Sequence, residues 1–179
     1  IFYKKKSHFK IKVKNKSKTL KNFDPVTNFD KNFEAFIRSI ITNKFSKHSV
    51  IGEEFKPKKT SSDYEWVVDP IDGTKAFYRG VPTWSNLIGL TYKRKPLFGL
   101  ANFPELKKYY ISDEKNSYVY NNSKKSILRS SKNYNLEKIK VIINLHGKIS
   151  GNKHKKIFNK INFFYNSLVG FDALNYCLL

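Results

Sequence analysis

The stretch Trp66-Val67-Val68-Asp69-Pro70-Ile71-Asp72-Gly73-Thr74 constrains this chain more than any other. Trp66, Val67 and Val68 form a short apolar run with strand propensity. Pro70 lacks a backbone donor and is expected to end that strand. Asp69 and Asp72 then project from a bend at the strand's end. Gly73 permits a tight approach, and Thr74 opens a helix through Lys75–Arg79. Two carboxylates beside a helix start suit a cation and a phosphate together. Carboxylate oxygens hold a hard metal, and the free N–H groups of Gly73 and Thr74 take phosphate oxygens. Taken alone, Asp-x-x-Asp-Gly also reads as a simple turn with Asp69 as a cap.

Upstream segments repeat the pattern. Ile51-Gly52-Glu53-Glu54 is an apolar run ending in acids, and Pro25-Val26-Thr27-Asn28-Phe29-Asp30 ends in an acid just before a helix. The chain carries 35 Lys and Arg against 14 Asp and Glu. Three acidic sites at the ends of regular elements are hard to explain as solvated surface in so basic a protein.

These segments resemble the inositol monophosphatase family of Mg²⁺-dependent phosphomonoesterases. Trp66–Thr74 meets the family signature W-[IV]-[IV]-D-P-[IL]-D-G-T in full. Gly52-Glu53-Glu54 meets its G-E-E, and Asp24–Asp30 meets its D-x-V-T-x-x-D. The runs Gly80–Leu90 and Pro96–Leu100 also fit, so the likeness is dense from Asp24 to Tyr110 and weaker beyond. The resemblance implies an αβαβα layered sandwich of mixed α+β and α/β character. Residues 1–140 would form an α+β layer with an antiparallel sheet and most of the metal site. Residues 141–179 would open an α/β half that is cut short.

The resemblance also implies roles. Glu53, Asp69 and the backbone carbonyl of Ile71 would hold a first Mg²⁺. Asp69 would bridge to a second ion bound by Asp72, with two or three ions in all. Asp30 and Thr74 would orient the attacking water with help from Glu53, and the amides of Gly73 and Thr74 would hold phosphate. Of the glutamate pair, Glu53 rather than Glu54 is the favoured ligand. The family supplies a further Asp from its second half, and no matching Trp-Asp pair follows Gly170. A chain ending at Leu179 is therefore expected to bind the second ion poorly and to be catalytically deficient. The absence of Met and an ending inside an apolar helix point the same way.

The substrate implied is a small phosphorylated metabolite. Gly80–Leu90 and Leu97–Tyr110 look most like the histidinol-phosphate phosphatase branch. Inositol monophosphate is a second candidate, and Asp-Gly-Thr-Lys-x-Phe also occurs in the branch acting on 3′-phosphoadenosine 5′-phosphate. A homodimer is implied by the family alone.

Net charge is +21, which raises the rival of a basic nucleic-acid-binding module without catalysis. The lysines are spread along the chain, so nucleic acid is not expected as the main partner. A broad positive field would instead attract an anionic ester. No apolar run spans a bilayer, no signal peptide is visible, and the single cysteine, Cys177, fits a reducing compartment. A cytoplasmic protein is expected.

Along the chain, Ile1–Lys6 reads as a helix tail, Phe9–Lys14 as an alternating edge strand and Asn15–Phe23 as a polar loop. Asp30–Lys47 reads as a helix with one apolar stripe: Phe33, Phe36, Ile37, Ile40, Ile41 and Phe45. Asp30 stands at its start, where capping is the alternative to a catalytic role. His48 reads as a surface residue, and His146 and His154 lack ligand-like spacing. Lys56–Tyr64 reads as a polar loop, either a flap or a plain connection. Ser85–Tyr92, Leu97–Phe103, Lys108–Ser112 and Ser117–Tyr120 read as an antiparallel meander, with Ile127–Arg129 as a further short strand. A strand Val141–Leu145, a helix Asn152–Ile161, a strand Phe163–Asn166 and a helix after Gly170 are expected in the second unit.

Overall fold

The computed structural model describes residues 11–16, 25–130, 141–143, 156, 167–170 and 172–178. The chain divides into two compact units, residues 1–128 and 129–179.

In the first unit, β1 (Val13–Asn15) pairs antiparallel with β2 (Pro25–Thr27). β2 runs directly into α1 (Asn28–Lys44). The helix starts two residues before the expected Asp30 because Thr27 caps it. The Thr27 hydroxyl accepts from Phe29 N–H, and the Asp30 carboxylate reaches back to Thr27 N–H at 2.7 Å, closing a capping box.

A seven-stranded sheet follows, with strands in sequence order. It comprises β3 (Ser49–Gly52), β4 (Tyr64–Asp72), β5 (Ser85–Tyr92), β6 (Lys95–Phe103), β7 (Lys108–Ser112), β8 (Ser117–Asn121) and β9 (Lys124–Leu128). From β4 onward every pair is antiparallel, as the alternation predicts. Lys93-Arg94 and Asn122-Ser123 make the hairpin turns at positive φ. β3 differs by pairing parallel with β4. The connection between them folds back along β3, where Val50 and Lys58 exchange backbone hydrogen bonds of 2.8 and 2.9 Å. Thr60 N–H donates to Ser49 Oγ at 3.0 Å. The loop is thus a pinned connection, not a flap.

Pro70 does not end β4, contrary to expectation. The ladder with β5 skips from Asp69↔Leu87 to Asp72↔Ser85, so Pro70 falls in a bulge where no donor is required of it. β3 pairs with β4 only as far as Val68. After the bulge, α2 (Thr74–Arg79) begins where expected.

Two apolar clusters form the core. Phe29, Ile71, Phe77 and Trp84 pack beside α2, and Ile37, Ile41, Val50 and Val68 join α1 to the sheet. The apolar stripe on α1 is wider than the part it buries. Phe36, Ile40 and Phe45 remain 50%, 44% and 42% exposed. They border a groove of about 590 Å³ between α1 and β4–β7. His48 is not a plain surface residue. It stacks between Phe45 and Tyr64 and accepts from Trp66 Nε1–H at 3.1 Å.

In the second unit, β10 (Val141–Ile143) pairs parallel with β11 (Ser167–Val169), and α3 (Asp172–Cys177) follows Gly170. The expected strand Phe163–Asn166, the helix tail Ile1–Lys6 and all but Lys156 of the helix Asn152–Ile161 lie outside the described residues. So do His146 and His154.

Candidate metal and phosphate site

The parallel pairing of β3 with β4 assembles the site. Parallel strands end on the same side, and the register sets Gly52 beside Val68. Glu53, which follows the end of β3, and Asp69, which is next on β4, therefore come to the same end of the pair, although Asp69 stays in the sheet opposite Leu87. The bulge at Pro70–Ile71 then turns Asp72 and the α2 start toward the same end. An antiparallel β3 would have sent Glu53 to the opposite edge.

Each acid is held from behind. The Asp69 carboxylate accepts Ile71 N–H at 3.1 Å, and Asp72 accepts the Ser85 hydroxyl at 3.1 Å. Asp30 is 1% exposed. One of its oxygens serves the Thr27 cap, and the other lies 3.4 Å from the Thr74 hydroxyl, which also lies 3.1 Å from the Ile71 carbonyl. The oxygen that serves the cap and the one that faces Thr74 are thus different oxygens of one carboxylate. The Ile71 side chain is buried in the core while its carbonyl points to Thr74. Gly73 is the N-cap of α2 at φ 77°, a conformation that a side chain would strain. Its own carbonyl accepts from Ala76 and Phe77 at 2.8 and 3.0 Å.

Charge accumulates here. Burial pushes the Asp69 carboxyl up to about 8, with the charges of Glu53 and Asp72 adding to it and the Ile71 N–H opposing. Burial also raises Asp30, against its hydrogen bonds from Thr27. Lys16 answers part of this charge, its ammonium reaching Glu53 at 2.8 Å and Glu54 at 2.5 Å. Burial alone would lower the Lys16 pKa, and the two glutamates outweigh it and raise it. Glu54 is itself raised by burial against the pull of Lys16.

The donors fit a hard cation: carboxylate and carbonyl oxygens, without thiol or imidazole. Among the described residues no three His, Cys, Asp or Glu side chains converge on one point. The first ion's expected set does not require that, since it takes two carboxylates and one carbonyl. The Lys16 ammonium marks where positive charge is accepted.

Sequence reasoning missed Lys16, Glu34, Ser85 and Asn86. Glu34 is fully buried on α1, paired with Arg38 Nε at 2.7 Å, and accepts the backbone N–H groups of Glu54 and Phe55 at 2.7 and 3.3 Å. It thereby fixes the turn that carries Glu53. It also explains Gly52, because a Cβ there would fall 2.1 Å from Glu34 Oε1. A signal was available. Glu34 sits four residues after Asp30 and three before Ile37, on the buried side of the helix.

The fold is that of a layered α+β protein with carboxylate and carbonyl oxygens gathered at one end of its sheet. The model of the inositol monophosphatase family matches residues 4–179, and the chain belongs to that family. A chloroplastic bifunctional phosphatase of Arabidopsis thaliana is 45% identical over 92 residues, covering 50% of this chain and 27% of that protein. A histidinol-phosphatase of Chlorobaculum parvum is 36% identical over 99 residues, covering 55% and 38%. Among solved structures, an IMPase of Thermotoga maritima superposes with a TM-score of 0.75 at 25% identity, covering 92% of this chain and 61% of that one. The chain thus spans about a fifth to two fifths of the length of the curated relatives it matches.

Proposed function

We propose that this chain carries the metal-binding part of a Mg²⁺-dependent phosphomonoesterase that hydrolyses a small phosphate ester to alcohol and phosphate. The observation that carries the reading is the placement of Glu53, Asp69 and Asp72 around the shared end of β3 and β4, where the charges of Glu53 and Asp72 add to the burial that raises the Asp69 carboxyl. Such a site favours a cation over an empty state. When bound, two or three Mg²⁺ ions would supply charge neutralisation at the attacking and leaving oxygens.

In this reading Glu53, Asp69 and the Ile71 carbonyl hold the first ion, and Asp69 with Asp72 holds the second. Asp30 and Thr74 share one hydrogen-bonded contact and orient the attacking water, with Glu53 assisting. The amides of Gly73 and Thr74 receive phosphate oxygens at the α2 start. The overall positive charge draws an anionic ester toward the site.

Histidinol phosphate is the favoured substrate, because a relative matched over half of this chain bears the name histidinol-phosphatase. Inositol monophosphate is the second candidate. A cytoplasmic homodimer belongs to the same reading. No helix among the described residues is long and apolar enough to cross a membrane. The test is phosphate release by the full-length protein from histidinol phosphate, inositol monophosphate and 3′-phosphoadenosine 5′-phosphate, with Mg²⁺ and with chelator. Metal-dependent release from the first, absent in Asp69→Asn, is expected. Release that a chelator leaves undiminished would overturn the reading.

A further inference from the structure

The first two residues of β5 are polar and almost wholly buried, with Ser85 0% and Asn86 3% exposed. Both face the β4 bulge. In the ladder, Pro70 and Ile71 stand opposite Asn86 alone. A bulge of this kind leaves backbone groups without their ladder partners. The Asn86 side chain replaces the missing donor, its Nδ2 donating to the Pro70 carbonyl at 2.6 Å. Its Oδ1 in turn accepts from Asn102 Nδ2 at 2.9 Å. Asn102 lies directly across from Asn86 on β6. Both amides border the apolar groove under α1.

A buried amide such as that of Asn86, paired with the partly buried Asn102 at the edge of an apolar groove, is costly unless it is hydrogen-bonded. Here the chain of bonds runs in one direction: Asn102 orients Asn86, and Asn86 holds the carbonyl of Pro70. Pro70 lies between Asp69 and Ile71, so that carbonyl fixes the plane of the peptide leading into Ile71. A rotation there would move the Ile71 carbonyl and the Asp69 and Asp72 carboxylates together. The Ser85 contact to Asp72 restrains the same segment at its other end.

We infer that Asn86, oriented by Asn102, is a positioning residue that sets the Asp69–Asp72 bulge in its ligating shape. It acts through Pro70 and touches none of the reacting atoms. The inference rests on the proposed metal site for its consequence, but the geometry it claims exists without metal.

The test uses both facts. Amide hydrogen exchange in the metal-free chain is followed at Ile71, Asp72 and Gly73, with Leu100 and Tyr110 in β6 and β7 as internal reference. Mn²⁺ affinity is measured in parallel by electron paramagnetic resonance. Asn86→Leu keeps similar volume and removes the donor. Losing a buried hydrogen bond while stranding the carbonyl should speed exchange at the bulge about 10–100-fold with the reference amides unchanged. Mn²⁺ affinity should fall about tenfold or more. Asn102→Leu should give a smaller change of the same kind, and it serves as the deciding variant if Asn86→Leu does not fold. Asn86→Gln, which retains an amide, should recover part of the protection. Unchanged exchange at Ile71–Gly73 in a folded variant overturns the inference, as does equal acceleration everywhere. If the unsubstituted chain binds no Mn²⁺, the metal reading fails, while the exchange arm still decides the role of Asn86.

Discussion

The two ends of the seven-stranded sheet are built on different principles. At the β3–β4 end, Thr27, Asp30, Glu34, Ser85 and Asn86 are all buried polar residues. At the β7–β9 end, no residue of the three strands is buried, and the strands are tied by cross-strand side-chain pairs. Tyr109 stacks on Tyr120 with ring centroids 4.5 Å apart, and the Lys125 ammonium lies 3.9 Å from the Tyr118 ring centroid. Polar burial costs stability, so its concentration at one end has a purpose beyond folding. It fixes the turns that carry Glu53, Asp69 and Asp72. The far end holds the sheet together and asks nothing of its side chains but contact.

That contrast can be broken by substitutions at each end. The largest expected effect is from Asp69→Asn, which in the full-length protein should reduce Mg²⁺-dependent phosphate release to background while the protein stays folded by circular dichroism. The same variant has a pH signature. Asp69 has a folded pKa raised from 3.8 to about 8. Its neutral form suits the fold, so the metal-free protein loses stability as pH rises from about 4 through about 8. Asparagine mimics the neutral acid. Asp69→Asn should therefore melt like the parent near pH 4 and above it near pH 9. A variant that melts lower at pH 9 would contradict the electrostatics.

Thr74→Ala should lower kcat by about 10²–10⁴-fold with KM nearly unchanged, because its hydroxyl is proposed to act on the water. A raised KM at constant kcat would make Thr74 a binding residue instead. Glu34→Ala should cost about 3–5 kcal/mol in urea unfolding, since it leaves Arg38 half-buried and without its carboxylate. The β7–β9 end should respond least. Tyr120→Leu is expected to cost about 0.5–1.5 kcal/mol through the lost ring stacking, with no change in metal affinity. A Tyr120→Leu variant that loses metal affinity would erase the distinction between the two ends.

What could be read from the sequence followed the locality of the signal. The meander was legible because alternation is local, and α2 because Gly73-Thr74 marks its start. Asp30, Glu53, Asp69, Asp72 and Thr74 stood out as candidates because each lies in a compact motif. The parallel sense of β3 was not, because it depends on how residues 53–63 fold back, and Lys58 closing on Val50 leaves no periodic trace. Pro70 misled because its cost depends on the partner strand, and the bulge removes that cost. The α1 stripe misled in a different way. Its apolar residues are correctly phased, yet Phe36, Ile40 and Phe45 border a groove rather than the sheet. Glu34 and Asn86 escaped because each serves a segment about 16–20 residues away.

In the proposed function the shared end of β3 and β4 is a divalent-cation site. Mn²⁺ binding by the chain, by Asp69→Asn and by Tyr120→Leu, measured by electron paramagnetic resonance at pH 8, tests it most directly. Saturable binding is expected of the unsubstituted chain and of Tyr120→Leu, with at least a tenfold loss in Asp69→Asn. Equal binding by all three would contradict it.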